Sequence, residues 1–219
     1  ALFISFIPLE KGLNKFSFPG YNKGSIRTCE AQVLYSIIQE KKYSSILDIG
    51  TGPGFSAVYL ARALKDAGIN GFVDTINIED APKFKVSDYI NIHKGDSLDI
   101  VPKLDNHDLI LIDSSHTYEQ TLKEYKNSIS RLNDGGCIVF HDVFPTPPDC
   151  DNQGPRGVIN DVVQKEHNVV FLSEDIFDIF SYKDDVEEVK RMRNKWEIHN
   201  YSYRDRSANA KEAMALIFK

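Results

Sequence analysis

Cysteine is scarce in this chain. Cys29, Cys137 and Cys150 are the three cysteines of the 219 residues, and none of them stands in a C-x-x-C pair. The odd number and the wide spacing argue against a disulfide framework and against a cysteine zinc site. Free thiols are typical of a reducing compartment, and we therefore expect a cytoplasmic protein.

Long runs of one chemical character are also missing. The net charge is −6 at pH 7 and no extended basic cluster occurs, so the broad positive surface that a phosphate backbone demands is absent from the sequence. We expect no nucleic-acid partner. The apolar opening, residues 1–9, contains Pro8, lacks a charged start and is too short to cross a bilayer, so we expect neither a signal peptide nor a membrane partner.

The length and composition suit one α/β domain. With 219 residues, of which 42% are hydrophobic, the chain can fill a single core but not two. We expect residues 27–182 to form the domain and residues 1–26, rich in Gly, Asn, Lys and Ser with three aromatic residues, to form an arm or a lid. Residues 183–219 are predicted to be a helical extension that packs on the sheet or on another subunit. In the second case the protein would be a homo-oligomer.

The most informative stretch is residues 46–56. Residues 46–49 are apolar apart from one acid, which predicts a strand covered on both faces. Gly50, Gly52 and Gly54 follow, and they leave bare backbone where the chain turns. Apolar residues then return every three or four positions over residues 57–67, which predicts a helix. A strand, a glycine loop and a helix in this order form half of a nucleotide-binding unit.

Two ligand classes use such a loop. The dinucleotide fingerprint G-x-G-x-x-G/A needs a third small residue at the position where Phe55 stands. Asp48, just before the glycines, would repel a phosphate but suits the cationic amino acid group of a cofactor that carries no phosphate. A dinucleotide-dependent oxidoreductase and a non-catalytic binding protein of the same fold remain the alternatives.

The segment from Leu47 to Gly54 resembles the first motif of the class I S-adenosylmethionine-dependent methyltransferases. The resemblance implies S-adenosylmethionine as the cofactor and a Rossmann-like fold. The cofactor ligands that it implies in this segment and just after it are Asp48, Gly50, Thr51, Gly52, Gly54 and Ser56.

Further cofactor contacts are expected where the next strands end. Glu79 follows the second predicted strand, and an acid at this place in nucleotide-binding α/β folds accepts hydrogen bonds from both ribose hydroxyls. Asn77 lies two residues earlier on the same strand face and shares this candidacy. Asp96 and Ser97 follow the third predicted strand, where the resembling family meets the adenine, although Asp96 is equally suited to cap a helix.

Acids and histidines follow two strands that should be neighbours in the sheet. Asp113 and His116 come after the fourth predicted strand, and Asp142 comes after the fifth. Because adjacent parallel strands end at the same edge, we expect the three side chains to converge. Two carboxylates so close repel unless a proton or a cation lies between them, and oxygen ligands favour magnesium over zinc.

The same region resembles the small-molecule O-methyltransferase branch, in which Asp-x-x-His-x-Tyr is followed by Gly-Gly, an apolar strand and His-Asp. The resemblance implies a divalent ion, Mg²⁺, held by Asp113, His141 and Asp142, with Asp113 also near the cofactor. It implies His116 as the catalytic base and a small-molecule acceptor, a sugar or natural product methylated on a hydroxyl oxygen. His141 departs from relatives that carry an acid there, and imidazole is a poorer magnesium ligand.

The remaining pattern predicts how the sheet is completed. Residues 133–136, Asn-Asp-Gly-Gly, are expected to end a helix before the strand at residues 137–140. Residues 169–172 and 176–182 predict two strands joined by a turn so short that they must pair antiparallel. Together with five alternating strand and helix units, this hairpin makes a seven-stranded, mostly parallel sheet with helices on both faces.

Overall fold

A computed structural model describes residues 26, 28–80, 87–143, 154–173 and 212–219 of the chain. The strands in these ranges are β1 Ser45–Ile49, β2 Phe72–Asn77, β3 Ile90–Lys94, β4 His107–Ile112, β5 Leu132–His141, β6 Val169–Ser173 and β7 Glu212–Phe218. The helices are α1 Thr28–Lys41, α2 Phe55–Asp66, α3 Ser97–Ile100, α4 Tyr118–Ile129, α5 Gly154–Val158 and α6 Gln164–Glu166, the last two joined by a π-helical segment, Ile159–Val163. None of these helices is long and apolar enough to cross a membrane.

One seven-stranded sheet organises the described residues, in the order β3-β2-β1-β4-β5-β7-β6. The first five strands in this order are parallel, whereas β7 is antiparallel to both of its neighbours. The chain steps outward from β1 to β3 and then starts again on the other side at β4. The carboxyl ends of β1 and β4 therefore flank the point where open α/β sheets bind ligands. The predicted fold class is confirmed.

Each face of the sheet is covered by an apolar layer. Ile46 belongs to the layer under α1 and α2, which also contains Leu34 and Leu60, whereas the next residue, Leu47, belongs to the layer under α4 with Tyr125. Each fully buried side chain of this size stabilises the fold by roughly 1.5–3 kcal/mol. The apolar run of β1 is thus required by burial on both faces, as predicted for a central parallel strand.

Strand β5 begins earlier than predicted. Residues 133–136 were expected to end the preceding helix, but α4 already ends at Ile129 and these residues lie within β5. A Cβ at Gly136 would lie 2.8 Å from the carbonyl oxygen of Asp108, so the glycine here permits close approach to another strand. Asn133 donates a hydrogen bond from Nδ2 to Asp108 Oδ1 over 2.8 Å. The polar Asn-Asp-Gly-Gly sequence is the exposed start of a strand.

The antiparallel partner of β6 also differs from the prediction. The strand expected at residues 176–182 lies outside the described residues, and β7 is the strand that pairs with β6. Leu216 of β7 lies opposite Val139 on one side and Val170 on the other, so the end of the sequence is inserted between β5 and β6. The expectation of a helical extension is therefore wrong for residues 212–218, which are a strand. Of the expected arm, only Ile26 is described, and it is buried.

Candidate active site

The glycine loop between β1 and α2 is tied to the neighbouring strand by its backbone. The amides of Gly50 and Thr51 both donate to the carbonyl oxygen of Ile76, over 3.1 and 3.0 Å. The amide of Gly54 donates to the carbonyl of Thr51 over 2.7 Å and closes a tight turn. The loop is therefore held in one conformation at the carboxyl ends of β1 and β2.

The three glycines of this loop share a backbone conformation, and Gly50 and Gly52 differ in what surrounds them. All three have positive φ angles, +109° at Gly50, +48° at Gly52 and +90° at Gly54. A Cβ at Gly50 would overlap the backbone of Asp113, so the close approach of the loop after β4 requires a glycine here. A Cβ at Gly52 would meet no atom of the described residues within 4 Å. The backbone at Gly52 thus faces open space, which a ligand can fill.

Asp48 lies in β1, two residues before Gly50, and is fully buried. Its Oδ2 accepts hydrogen bonds from Ser56 Oγ at 3.0 Å and Thr75 Oγ1 at 2.8 Å, and Thr51 in turn donates to Thr75 over 2.6 Å. Its Oδ1 is buried without a hydrogen-bond partner among the described residues. Burial raises the pKa of Asp48 to about 7, although the hydrogen bonds from Thr75 and Ser56 oppose this. Oδ1 of Asp48 can therefore accept a hydrogen bond from a cationic group of a ligand.

The strand ends after β2 and β3 carry the other predicted cofactor residues. Asn77 donates from Nδ2 to the carbonyl of Glu79 over 3.3 Å, and the Glu79 side chain is exposed. Ile78 between them is 73% exposed, and the sequence analysis did not single it out. Asp96 caps α3, since its Oδ1 accepts from the amide of Leu98 over 2.9 Å. The N-cap prediction is confirmed.

Ser97 is already engaged by a buried acid. Its hydroxyl donates to Oε1 of Glu124 over 2.6 Å, and Ser114 and Gln120 donate to the same carboxylate over 2.7 and 3.1 Å. Glu124 is fully buried, and this burial raises its pKa. The cluster joins the start of α3, the loop after β4 and α4. Sequence analysis missed Glu124, because an acid in a polar helix carries no sign of burial.

The predicted convergence of side chains after β4 and β5 is found. Oδ1 of Asp113 lies 3.0 Å from Nδ1 of His141, and Oδ1 of Asp142 lies 3.6 Å from the same nitrogen. One ligand atom from each of these three residues lies within 4.8 Å of the others, which is close enough for one metal ion. Burial alone would raise the pKa of Asp113, but the charge of His141, the hydrogen bond with His141 and the nearby imidazole of His116 lower it.

His116 faces the same two carboxylates. Its Nε2 lies 3.4 Å from Oδ2 of Asp142 and 3.9 Å from Oδ1 of Asp113, and this nitrogen is buried without a hydrogen-bond partner in the described part of the chain. Interaction with Asp113 raises the pKa of His116; burial opposes the rise and the charge of Asp142 adds to it. His116 is thus a nitrogen base next to two acids, with one third of its side chain exposed.

A residue that the sequence analysis did not consider completes this group. Glu30 of α1 is fully buried, and its Oε2 lies 3.1 Å from Nε2 of His141. His141 therefore has a carboxylate at each ring nitrogen, Asp113 at Nδ1 and Glu30 at Nε2. Burial would lower the pKa of His141, but these two carboxylates raise it well above its ordinary value. No sequence signal could have found Glu30, since 111 positions separate it from its partner.

The backbone around the acids and His116 is tightly constrained. Asp142 has a φ of +51°, a left-handed conformation that costs a non-glycine residue about 1–3 kcal/mol. The carbonyl of His116 accepts a hydrogen bond from the amide of Gly154 over 3.1 Å, and a Cβ at Gly154 would overlap that carbonyl. The start of α5 therefore packs directly on the loop that carries His116.

Comparison with known proteins agrees with this architecture. Residues 47–143, from β1 to just beyond Asp142, match a family described as a methyltransferase domain. The match covers the stretch that contains the glycine loop and agrees with the resemblance on which the sequence analysis rests. No curated protein matches the chain.

Solved structures show the same fold over most of the chain. Cofactor-bound Rv0187 from MTB is 19% identical, with a TM-score of 0.63 and coverage of 91% of this chain and 84% of that chain. The O-methyltransferase TomG from Streptomyces achromogenes, involved in tomaymycin synthesis and in complex with SAM, is 16% identical, with a TM-score of 0.57 and coverage of 89% and 81%. An O-methyltransferase from Bacillus cereus in complex with SAH is 15% identical, with a TM-score of 0.58 and coverage of 90% and 84%.

Proposed function

We propose that the protein transfers the methyl group of S-adenosylmethionine to a hydroxyl oxygen of a small molecule, such as a sugar or a natural product. The observation that carries the proposal is the buried Asp48, with one oxygen lacking a donor, below a glycine loop that is open at Gly52. The family match supports methyl transfer, and the two O-methyltransferases among the similar structures support an oxygen acceptor. The low cysteine content is in keeping with a cytoplasmic location.

The residues present fit this cofactor. Asp48 offers its free oxygen to the ammonium group, with Ser56 holding its other oxygen, and the backbone from Gly50 to Gly54 lies against the amino acid part. At the next strand end Asn77 or Glu79 accepts from the ribose hydroxyls. The exposed Ile78 gives the base an apolar surface.

The adenine contact involves the start of α3. Asp96 has one oxygen in the helix cap, so its other oxygen is the one we assign to the adenine amine. Because the hydroxyl of Ser97 is bonded to Glu124, we assign the main-chain amide of Ser97 to the cofactor. Asp113 lies beside Gly50 and so borders the same site.

The chemistry that the side chains support is proton removal from the acceptor. S-adenosylmethionine, when bound, supplies an electrophilic methyl group. His116 accepts the hydroxyl proton at Nε2, the ring nitrogen that has no hydrogen-bond partner. Asp113 and Asp142 then stabilise the imidazolium, since both carboxylates lie within 4 Å of that nitrogen. A divalent ion at Asp113, His141 and Asp142, with magnesium as the ion that the carboxylates favour, would orient the acceptor oxygen.

Cofactor binding at the loop is tested by Gly52→Val. The substitution places a branched side chain in the open space and forces it into a left-handed conformation, which costs at least about 1–2 kcal/mol of stability. Gly68→Val is the matched control, because Gly68 also has a positive φ and open space at its Cβ but lies beyond α2. In isothermal titration we expect S-adenosylmethionine to bind wild type and Gly68→Val but not Gly52→Val. Binding of NADH instead would support the oxidoreductase, and unchanged affinity in folded Gly52→Val would refute the placement.

Catalysis is tested by His116→Ala and Asp142→Asn once an acceptor is found. Loss of a general base lowers kcat by about 10²–10⁴-fold, while the affinity for S-adenosylmethionine should stay close to wild type. Each variant is assayed with and without EDTA. Full activity of His116→Ala would show that His116 is not the base. Turnover that EDTA does not change would show that no metal is needed, and Asp142 would then act only by positioning other groups.

A further inference from the structure

The metal candidate described above contains one nitrogen ligand, and its surroundings decide which ion it suits. Nδ1 of His141 lies 3.0 Å from an Asp113 oxygen and 3.6 Å from an Asp142 oxygen. Two ligands bound at right angles to one ion at about 2.1 Å from it lie about 3 Å apart. Asp113 and His141 are thus already spaced like neighbouring ligands of one ion, and an Asp142 oxygen lies near enough to join them after a small movement.

Glu30 determines how His141 presents that nitrogen. Its carboxylate is fully buried and lies 3.1 Å from Nε2 of His141. An ionised carboxylate only accepts hydrogen bonds, so Nε2 carries the proton and Nδ1 is the nitrogen that turns towards Asp113 and Asp142. Histidines that bind metals are held in this way, with the far N–H donated to a carboxylate. An ion bound between the two aspartates would displace any proton on Nδ1, because metal ligands bind deprotonated.

We propose that Glu30 is a positioning residue for a metal centre formed by Asp113, His141 and Asp142, and that this centre binds first-row transition-metal dications in preference to Mg²⁺. Imidazole suits such ions, whereas Mg²⁺ demands oxygen ligands and regular octahedral geometry. The inference rests on the proposed function for the use of the centre, but the binding of the ion is measured without any acceptor. The preferred ion in this proposal differs from Mg²⁺, which the oxygen ligands of Asp113 and Asp142 alone would favour.

The first experiment compares ions on the wild-type protein. After treatment with EDTA and dialysis, the protein is titrated with Co²⁺ and with Mg²⁺ by calorimetry, and the Co²⁺ complex is followed by its visible absorption. We expect Co²⁺ to bind at least about 100-fold more tightly than Mg²⁺. Absence of Co²⁺ binding would show that His141 is instead a fixed internal counter-ion between Glu30 and Asp113 and would overturn the proposal. Affinities for the two ions within tenfold of each other would overturn it as well.

The second experiment tests Glu30 itself. Glu30→Ala should weaken Co²⁺ binding by about 10–100-fold, and Glu30→Gln, which retains an acceptor but no charge, should weaken it less. Glu40→Gln is the control, an exposed acid on the same helix, and should leave Co²⁺ affinity unchanged. Equal Co²⁺ affinities in Glu30→Ala and Glu40→Gln would overturn the role of Glu30. Thermal melting checks that each variant is folded.

A double variant keeps the proposal falsifiable if Glu30→Ala does not fold. Glu30→Gln/His141→Asn removes the nitrogen ligand together with its buried charged partner and offers an amide oxygen in place of Nδ1. We expect the ratio of Co²⁺ to Mg²⁺ affinity to fall at least tenfold, and an unchanged ratio would overturn the assignment of His141. Titration of each preparation with S-adenosylmethionine separates the two ideas, because loss of the proposed function would abolish cofactor binding in the wild type, whereas failure of the metal proposal would leave it intact.

Discussion

At the scale of single residues, Asp48 couples the proposed cofactor site to pH. Burial raises its pKa to about 7, so the unliganded protein holds a proton there in mildly acidic solution. A bound ammonium group favours the ionised form, and binding below pH 7 therefore has to release this proton. We expect the affinity for S-adenosylmethionine to rise by up to about tenfold per pH unit between pH 5.5 and 7 and to level off above pH 7.

The comparison variant for this prediction is Asp48→Asn, which keeps the shape of the side chain but cannot ionise. It should bind the cofactor more weakly at pH 7.5 and with little dependence on pH. Calorimetry at four pH values measures both effects. A flat wild-type profile, or a variant that follows the wild type, would show that Asp48 does not meet the ammonium group.

The site residues that follow strands could be predicted from the sequence, whereas the buried acids on helices could not. Asp113, His116 and Asp142 could be predicted to converge, because each follows a strand and the strands are neighbours in a common type of sheet. Glu30 and Glu124 could not be predicted. Each is an acid on a helix, a type of residue that is almost always exposed, and its burial is decided by the packing of distant elements.

At the scale of elements, the contact between α5 and the loop of His116 should affect the proposed proton transfer. Gly154→Ala would press a Cβ into the His116 carbonyl, a backbone atom that can yield only if the loop shifts. We expect kcat to fall at least tenfold while the affinity for S-adenosylmethionine is maintained, because a small displacement of a catalytic group is costly.

Gly157→Ala is the matched change in the same helix. There a Cβ would lie 2.9 Å from a ring carbon of Tyr118, a partly exposed side chain that can move aside. Its kcat should remain close to that of the wild type. Equal losses of kcat in the two variants, measured beside their melting temperatures, would show that general destabilisation of α5 is the cause and that the His116 contact is not.

The elements that could not be predicted are those whose local sequence pattern fits two kinds of secondary structure. The strands β1 and β4 are apolar runs buried on both faces, which is a strong pattern, and both are confirmed. The start of β5 carries two glycines that are typical of a turn, and only the approach of Asp108 explains their place in a strand. Residues 212–218 form a short apolar run, which periodicity alone does not distinguish from a helix.

At the scale of the whole molecule, the sheet is closed by its last strand in sequence. Strand β7 pairs with β5 and with β6, so the two strands on either side of it have no direct hydrogen bonds to each other in the described sheet. The buried residues of β7 contribute to both apolar layers, Leu216 to one and Ile217 to the other. Completion of the sheet therefore requires β7 to pair with strands that are far away in sequence, and such contacts form slowly.

This topology predicts that stability depends on the residues of β7. Leu216→Ala removes a buried side chain from a strand that is paired on both sides and should lower the free energy of unfolding by about 2–5 kcal/mol. Lys219→Ala, three residues on, removes only an exposed pairing with Asp134 and a hydrogen bond to the carbonyl of Leu132, and should cost about 1 kcal/mol or less.

A chain that ends at residue 211 should lose β7 altogether, which leaves β5 and β6 with unpaired edges and exposes both apolar layers, so we expect it not to fold cooperatively. Urea unfolding followed by circular dichroism compares the three variants with the wild type. A strand inserted between two others cannot be removed without breaking the pairing on both of its sides. If the chain ending at residue 211 nevertheless unfolds at the wild-type urea midpoint, β7 is not needed for stability and the prediction is wrong.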